Sequence, residues 1–264
     1  MKITGIIVAV NYLDFLRITL PNNKAILDRI IIVTSKADKA TQEFCKEQGV
    51  ECIATDIFYK KGKFNKFAGI NEALNLLGDE WVLFLDADIY LHPICKRVFQ
   101  ELRFESYELY GADRLNCIGI EQWEAYSPDK HVVDNWLLTA AGLEFGSRIN
   151  HYYGQQGENG RFSGYKPLGF FQLANKGYFK RYPDECTGAD HCDVEFANLY
   201  QRDQRVLIPE IPLVHLVSKK AGWGSNWQGR TTLPFDFREK SKAHLTIAEM
   251  WHRFKSYLRN LFTF

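Results

Sequence analysis

The chain has 264 residues, of which 46% are apolar and 25% charged, with 33 lysines and arginines set against 32 acids. This composition excludes a disordered chain, and at this length about three quarters of the unfolded surface can be buried. The near-zero net charge neither demands nor excludes an anionic partner. No apolar run approaches the ~20 residues that cross a bilayer, and Met1-Lys2 leads straight into a strand-like segment, so a cytoplasmic protein is expected.

Ile3 to Val10 is an apolar run rich in β-branched residues and predicts a first buried strand, followed by Asn11 and Tyr12. A helix from about Asp14 is expected to stop at Leu20, because Pro21 lacks the N–H that a helix interior uses. Arg29 to Thr34 predicts a second strand, then Ser35 and a helix closed by Gly49. Val50 to Ala54 predicts a third, ending in Thr55-Asp56. After the loop Tyr59-Lys60-Lys61-Gly62-Lys63 comes a helix whose Phe67, Ile70, Leu74 and Leu77 share one face, with Gly78 at its end. Trp81-Val82-Leu83-Phe84-Leu85 is a fourth buried strand, and it runs directly into Asp86-Ala87-Asp88. Strand and helix alternating at these intervals require parallel strands with right-handed crossovers, so residues 1 to about 105 read as a nucleotide-binding α/β half.

Beyond it, Ile94, Val98 and Leu102 form another helical stripe, and Leu109 to Ile120 reads as strand with a turn. Residues 121–150 carry no clear periodicity. Four glycines between Gly154 and Gly164 exclude a regular element and predict a loop, either a lid or plain surface. Strands over Gly169–Asn175 and Val206–Val217 flank a helix opened by Asp190 and running to about Gln201. Residues 1–230 are expected to form one domain, in which 106–230 are the acceptor half. Residues 231–264 form a C-terminal extension whose amphipathic basic helix, Ala243 to Phe264, would lie on a membrane surface, pack on its own domain or mediate self-association. The six cysteines show no C-x-x-C spacing and read as reduced, buried residues.

Side chains at i and i+2 of a strand project to one side, so Asp86 and Asp88 would face one pocket, where two hard oxygen donors suit Mg²⁺ or Mn²⁺ with a phosphorylated ligand. The plainer reading makes Asp86 a strand end and Asp88 the cap of a helix begun by Pro93. Asn11, Ser35 and Asp56 are predicted on the same carboxyl edge, where open α/β sheets bind ligands. Lys66 would add an ammonium beside the first-turn N–H groups of its helix, or stay a solvated lysine. Asp190, at a helix N-terminus, is either an N-cap or a general base, with Asp193 as the fallback. His215, in an apolar strand, is either a core residue or a metal ligand beside Asp88. In the segment Gly222 to Arg230, Trp227 and Arg230 would close over a diphosphate and a sugar, or anchor a surface loop.

Together, the opening strand through Asn11-Tyr12, Val33-Thr34-Ser35, Thr55-Asp56, Phe64-Asn65-Lys66 with Asn71, Asp86-Ala87-Asp88, Gly188-Ala189-Asp190 and His215 resemble nucleotide-sugar-dependent glycosyltransferases of the GT-A fold, most like the inverting family 2 group. The resemblance covers residues 3 to about 230 and implies a Rossmann-like mixed sheet with helices on both faces. It implies Mn²⁺ or Mg²⁺ held by Asp88, with Asp86 as companion and His215 as a third ligand. Asn11, Tyr12, Ser35, Asp56, Asp86 and Lys66 would hold the nucleotide-sugar, with a UDP-sugar the expected donor, and Asp190 would deprotonate the acceptor hydroxyl. Two departures stand out: Ala189 replaces the acidic residue that often precedes the catalytic Asp, and the Q-x-x-R-W motif of processive synthases is absent, so single transfers are expected. The acceptor is a glycan or glycoconjugate, or alternatively a modified DNA base met by Lys60, Lys61, Lys63, Lys66, Lys219 and Lys220. A nucleotidyltransferase would carry a glycine-rich loop after strand one, which Val10-Asn11-Tyr12-Leu13 lacks. A non-catalytic nucleotide-sugar or glycan-binding protein is the alternative of another class.

Overall fold

The structure is a computed structural model that describes residues 1–62, 64–126, 155–156, 162–164, 166–185, 191–208, 210–211, 213–222 and 224–238. The four predicted strands are β1 (Ile3–Val8), β2 (Arg29–Ser35), β3 (Glu51–Thr55) and β4 (Trp81–Asp86), joined by α1 (Leu13–Ile26), α2 (Lys39–Glu47) and α3 (Lys66–Leu74). They lie in the order β3-β2-β1-β4 and are parallel throughout. Beyond β4 the sheet becomes mixed. Antiparallel β10 (Phe171–Asn175) pairs with β4, and β6 (Leu109–Gly111), β11 (Arg205–Leu207), β9 (Phe162–Ser163) and β8 (Gln155–Gln156) complete nine strands.

Both faces of β1, β2 and β4 are apolar because each is covered by helices, which is why these strands read as continuous apolar runs, while the edge strand β3 is only half-buried. On one face Ile7, Ile32, Leu83 and Leu85 pack with Leu16 and Leu20 of α1 and Cys45 of α2. On the other, Ile6, Val33, Val82 and Phe84 meet Phe67, Ile70 and Leu74 of α3, and Phe196 of α6 (Cys192–Asn198). A second sheet has the order β5-β12-β7, built from β5 (Ile89–Leu91), β12 (Leu213–Val217) and β7 (Arg114–Ile118). It encloses a small core of Phe15, Tyr90, Leu115, Val214, Leu216 and Phe235. The stripe at Val98 becomes α4 (Cys95–Glu101), and α5 (Gly119–Ala125) begins the segment that showed no periodicity.

Three expectations are corrected. α1 does not stop at Leu20 but continues through Pro21 to Ile26. Pro21 and Arg17, the residue whose carbonyl loses its partner, are both exposed, so the break in the ladder falls on the solvent face of the helix. Buried Asn23 then rewards the extra turn: its amide donates to Ile89 O (2.8 Å) and accepts from Leu91 N (3.0 Å). Asp88 caps no helix, because β5 follows it at once. Finally, Cys192 is disulfide-bonded, while Cys45, Cys52, Cys95 and Cys117 form no disulfide. Bridging depends on how close two Cβ atoms come in space, which sequence spacing does not encode.

Among the described residues no helix is long and apolar enough to cross a membrane. The C-terminal helix, the centre of the glycine-rich loop, Lys63, Cys186 and Asp190 lie outside the described residues.

Candidate active site

A cavity of about 450 Å³ opens at the carboxyl ends of β1 and β4, and Tyr12, Lys66, Asp86, Asp88, His215, Trp227 and Arg230 all line it. Asn11, Ser35 and Asp56 stand on the same sheet edge, outside that lining. Asp56 pairs with Lys36 at 3.0 Å on the surface. Ser35 Oγ accepts from Asp38 N at 3.2 Å, and Asn11, in the left-handed region at φ 62°, donates its N–H to Asp38 Oδ2 at 2.6 Å. Asp38 also accepts from Thr34 Oγ1 (3.1 Å) and Thr41 N (3.2 Å). Asp38 is thus the N-cap of α2. The fold makes it the post that ties the ends of β1 and β2 together.

The Asp86-Ala87-Asp88 turn is clamped through its backbone. Asp86 N donates to Phe170 O (3.2 Å), Thr19 Oγ1 donates to Ala87 O (2.8 Å), and Leu216 N donates to Asp88 O (2.8 Å). Lys66 Nζ donates to Asp86 Oδ1. The first N–H groups of α3 are not open to a ligand, because Asn65 Oδ1 accepts from Phe67 N and Ala68 N. Burial raises the Asp86 carboxyl above its usual range, opposed by Lys66 and reinforced by the charge of Asp88. Burial works against the charge of Asp88 as well, yet His215, Arg114 and Lys66 together hold it below the usual carboxylate range. Asp88 Oδ2 stands 3.6 Å from His215 Nε2, while its Oδ1 is buried with no hydrogen-bond partner. An unmatched anionic oxygen of this kind is costly unless a cation meets it. Among the described residues no three His, Cys, Asp or Glu side chains gather as a ready metal site, so a cation here would draw its remaining ligands from substrate oxygens and water.

Arg114, Asn116 and Ser218 also line the cavity and were not foreseen. Arg114 lies over the Phe170 ring at 4.2 Å; burial lowers its guanidinium from its ordinary value against the pull of Asp88 and Asp86. Asn116 Oδ1 is 2.9 Å from His215 Nδ1. Ser218 Oγ is buried and unpartnered. The alternation Arg114-Leu115-Asn116-Cys117 puts the two polar side chains on one face, the same i, i+2 signal that marks Asp86 and Asp88.

Arg230 is spoken for. It forms a two-pronged pair with Asp14, donates to Asn11 O (2.8 Å) and Leu233 O (3.0 Å), and lies over the Tyr12 and Phe15 rings at 5.0 and 4.7 Å. Burial, with Asp88 and Asp86 nearby, raises the Tyr12 phenol far above its ordinary value, opposed by Arg230 and Asn226. Asp193 lies outside the cavity lining; its Oδ2 accepts from Gly169 N and its Oδ1 from Val194 N, each at 2.8 Å.

A family model described as Glycosyl transferase family 2 matches residues 4–203. Among solved structures, the chain is similar to S. aureus TarS 1-349 in complex with UDP-GlcNAc, at 14% identity over 85% of this chain and 60% of that one, with a TM-score of 0.50. It is also similar to the mannosyltransferase PcManGT from Pyrobaculum calidifontis in complex with GDP-Man and Mn²⁺, at 13% identity over 83% of this chain and 58% of that one, again with a TM-score of 0.50. At these identities the likeness is one of fold, and the chain spans less than two thirds of either structure. No curated protein matches its sequence.

Proposed function

Because the chain belongs to glycosyl transferase family 2, we propose that it transfers a single sugar from a nucleoside-diphosphate sugar to the hydroxyl of a glycan or glycoconjugate, with inversion. The observation that carries this reading is the pair Asp86 and Asp88 in one cavity with Lys66, Arg114 and His215 around them. Carboxylates alone would repel a diphosphate, so the surrounding donors and a cation must reverse the field. Asp88 and His215 would hold Mn²⁺ or Mg²⁺, with Asp86 beside them. The unpartnered Asp88 Oδ1 supports that fit. When bound, the ion supplies Lewis-acid stabilisation of charge on the departing diphosphate.

The chain's own residues do the rest. Lys66 keeps Asp86 in place and presents positive charge to the phosphates, and Arg114 adds a second cation across the cavity. Tyr12 and Trp227 provide aromatic walls for donor groups, while Asn11, Ser35 and Asp56 mark the nucleotide side of the sheet edge. Arg230 fixes the loop that roofs the donor. Asp190 is the proposed general base, taking the proton of the acceptor hydroxyl as its oxygen attacks the anomeric carbon. A UDP-sugar is the proposed donor, and the UDP-GlcNAc and GDP-Man held by the two similar structures make both nucleotides worth testing.

The test is a thermal-shift panel of UDP- and GDP-sugars with and without Mn²⁺, on wild type and Asp88→Ala. A ligand at 100 times its Kd adds about 2.7 kcal/mol of stability. Metal-dependent stabilisation by one donor, lost in Asp88→Ala, is expected. No stabilisation by any donor would count against the reading. Transfer that survives Asp190→Asn unchanged would remove that residue as base.

A further inference from the structure

We infer that Asn116 is a positioning residue that fixes the tautomer and aim of His215 toward a divalent cation at Asp88, an inference that rests on the metal-binding reading above. His215 and Asn116 are partners on adjacent strands, and Asp88 stands in the turn just before the third, its carbonyl accepting from Leu216 N. β5 starts directly after Asp88, Ile89 pairs with His215 in the β5–β12 ladder, and His215 pairs with Asn116 in the β12–β7 ladder. Parallel register puts neighbouring side chains on one face of a sheet, which is how the amide of Asn116 comes to stand 2.9 Å from Nδ1.

A neutral imidazole has one N–H and one lone pair. An amide oxygen only accepts, so the bond to Asn116 Oδ1 puts the proton on Nδ1 and leaves the lone pair of Nε2 facing Asp88. There it meets Oδ2 at 3.6 Å, too long for a hydrogen bond. In this tautomer Nε2 and Oδ2 are both acceptors, beside the unpartnered Asp88 Oδ1. A divalent cation held by Asp88 and His215 would relieve that arrangement. The opposite tautomer would put a proton where the ion should bind, and the Asp88 carboxylate 3.6 Å away favours it, so Asn116 is the group that opposes that proton. Orientation by a hydrogen bond on the far nitrogen is a general device at metal-bound histidines, and its loss weakens metal affinity by about 10- to 100-fold.

The test uses the full chain, with Mn²⁺ as the probe. In the metal-free protein under mildly alkaline conditions, the imidazole ¹⁵N shifts of His215, assigned with His215→Gln, should report a proton on Nδ1 in wild type. That pattern should be lost in Asn116→Leu. Titration followed by the electron paramagnetic resonance signal of free Mn²⁺, in the presence of UDP, should show Asn116→Leu binding about 10- to 100-fold more weakly, and Asn116→Asp, which keeps an acceptor oxygen, binding at least as tightly as wild type. If Asn116→Leu does not fold, the wild-type tautomer and Asn116→Asp still decide. A proton on Nε2 in wild type, or equal Mn²⁺ affinity for the wild type and Asn116→Leu, overturns the role of Asn116 alone. Wild type that binds no Mn²⁺ overturns the metal-binding reading itself.

Discussion

Asp193 offers the same carboxylate as Asp190 three residues later, but both of its oxygens already serve the backbone. Oδ2 accepts from Gly169 N and Oδ1 from Val194 N. The main chain comes close enough here that a Cβ added to Gly169 would lie 2.9 Å from Cβ of Asp193. The bond therefore fixes the segment leading into Phe170, whose carbonyl receives Asp86 N. Asp193→Ala should leave the Gly169 donor unmatched and cost about 1–3 kcal/mol. A lowered melting temperature with donor-hydrolysis turnover largely retained is the expected result. An unchanged melting temperature with abolished turnover would make Asp193 the base instead.

At the scale of elements, the site depends on joining the loop after β12 to the start of α1. Arg230 and Asp14 make that joint, with side chains only 8% and 17% exposed, and Asp14 Oδ2 also accepts from Phe235 N at 2.6 Å. The guanidinium also lies over the neighbouring rings of Tyr12 and Phe15. Breaking such a pair from one side strands a charge out of water, which costs about 3–5 kcal/mol. Asp14→Ala should therefore lower the urea midpoint and open residues 224–238 to limited proteolysis. If cleavage there is no faster than in wild type, the joint is not what holds the loop.

On the scale of the molecule, aromatic hydroxyls are folded into the interior in number. Burial pushes the Tyr110 phenol up to about 12 and raises Tyr126, Tyr182 and Tyr200 in the same direction. The unfolded chain gives up these protons near pH 10, so above that pH the native state binds more of them. Stability is accordingly full below about pH 10 and is lost as pH climbs toward 12. In an alkaline titration, tyrosinate absorbance should rise together with loss of circular dichroism. Tyrosines that ionise completely near pH 10 in a still-folded protein would contradict this.

Much of the fold is legible because it is written locally. The apolar runs in β1, β2, β3 and β4 mark four parallel strands, and the acidic triplet can only emerge at the end of the last one. Lys66, Asp86 and Asp88 are found by position at element ends and His215 as a lone polar residue in an apolar strand, and all four line the cavity. What remained hidden depends on partners far away in the chain. Pro21 is tolerated because of what faces water, Arg230 is drawn to Asp14 from 216 residues away, and Asn116 meets His215 across a ladder spanning 99. The sequence by itself determined which residues are buried and which strand ends carry charge, since periodicity is a property of neighbours. Only the tertiary structure decided which polar groups neutralise one another and which are left open to a ligand, because hydrogen-bond and charge pairing is settled by strand register and loop path, and neither has a local signature.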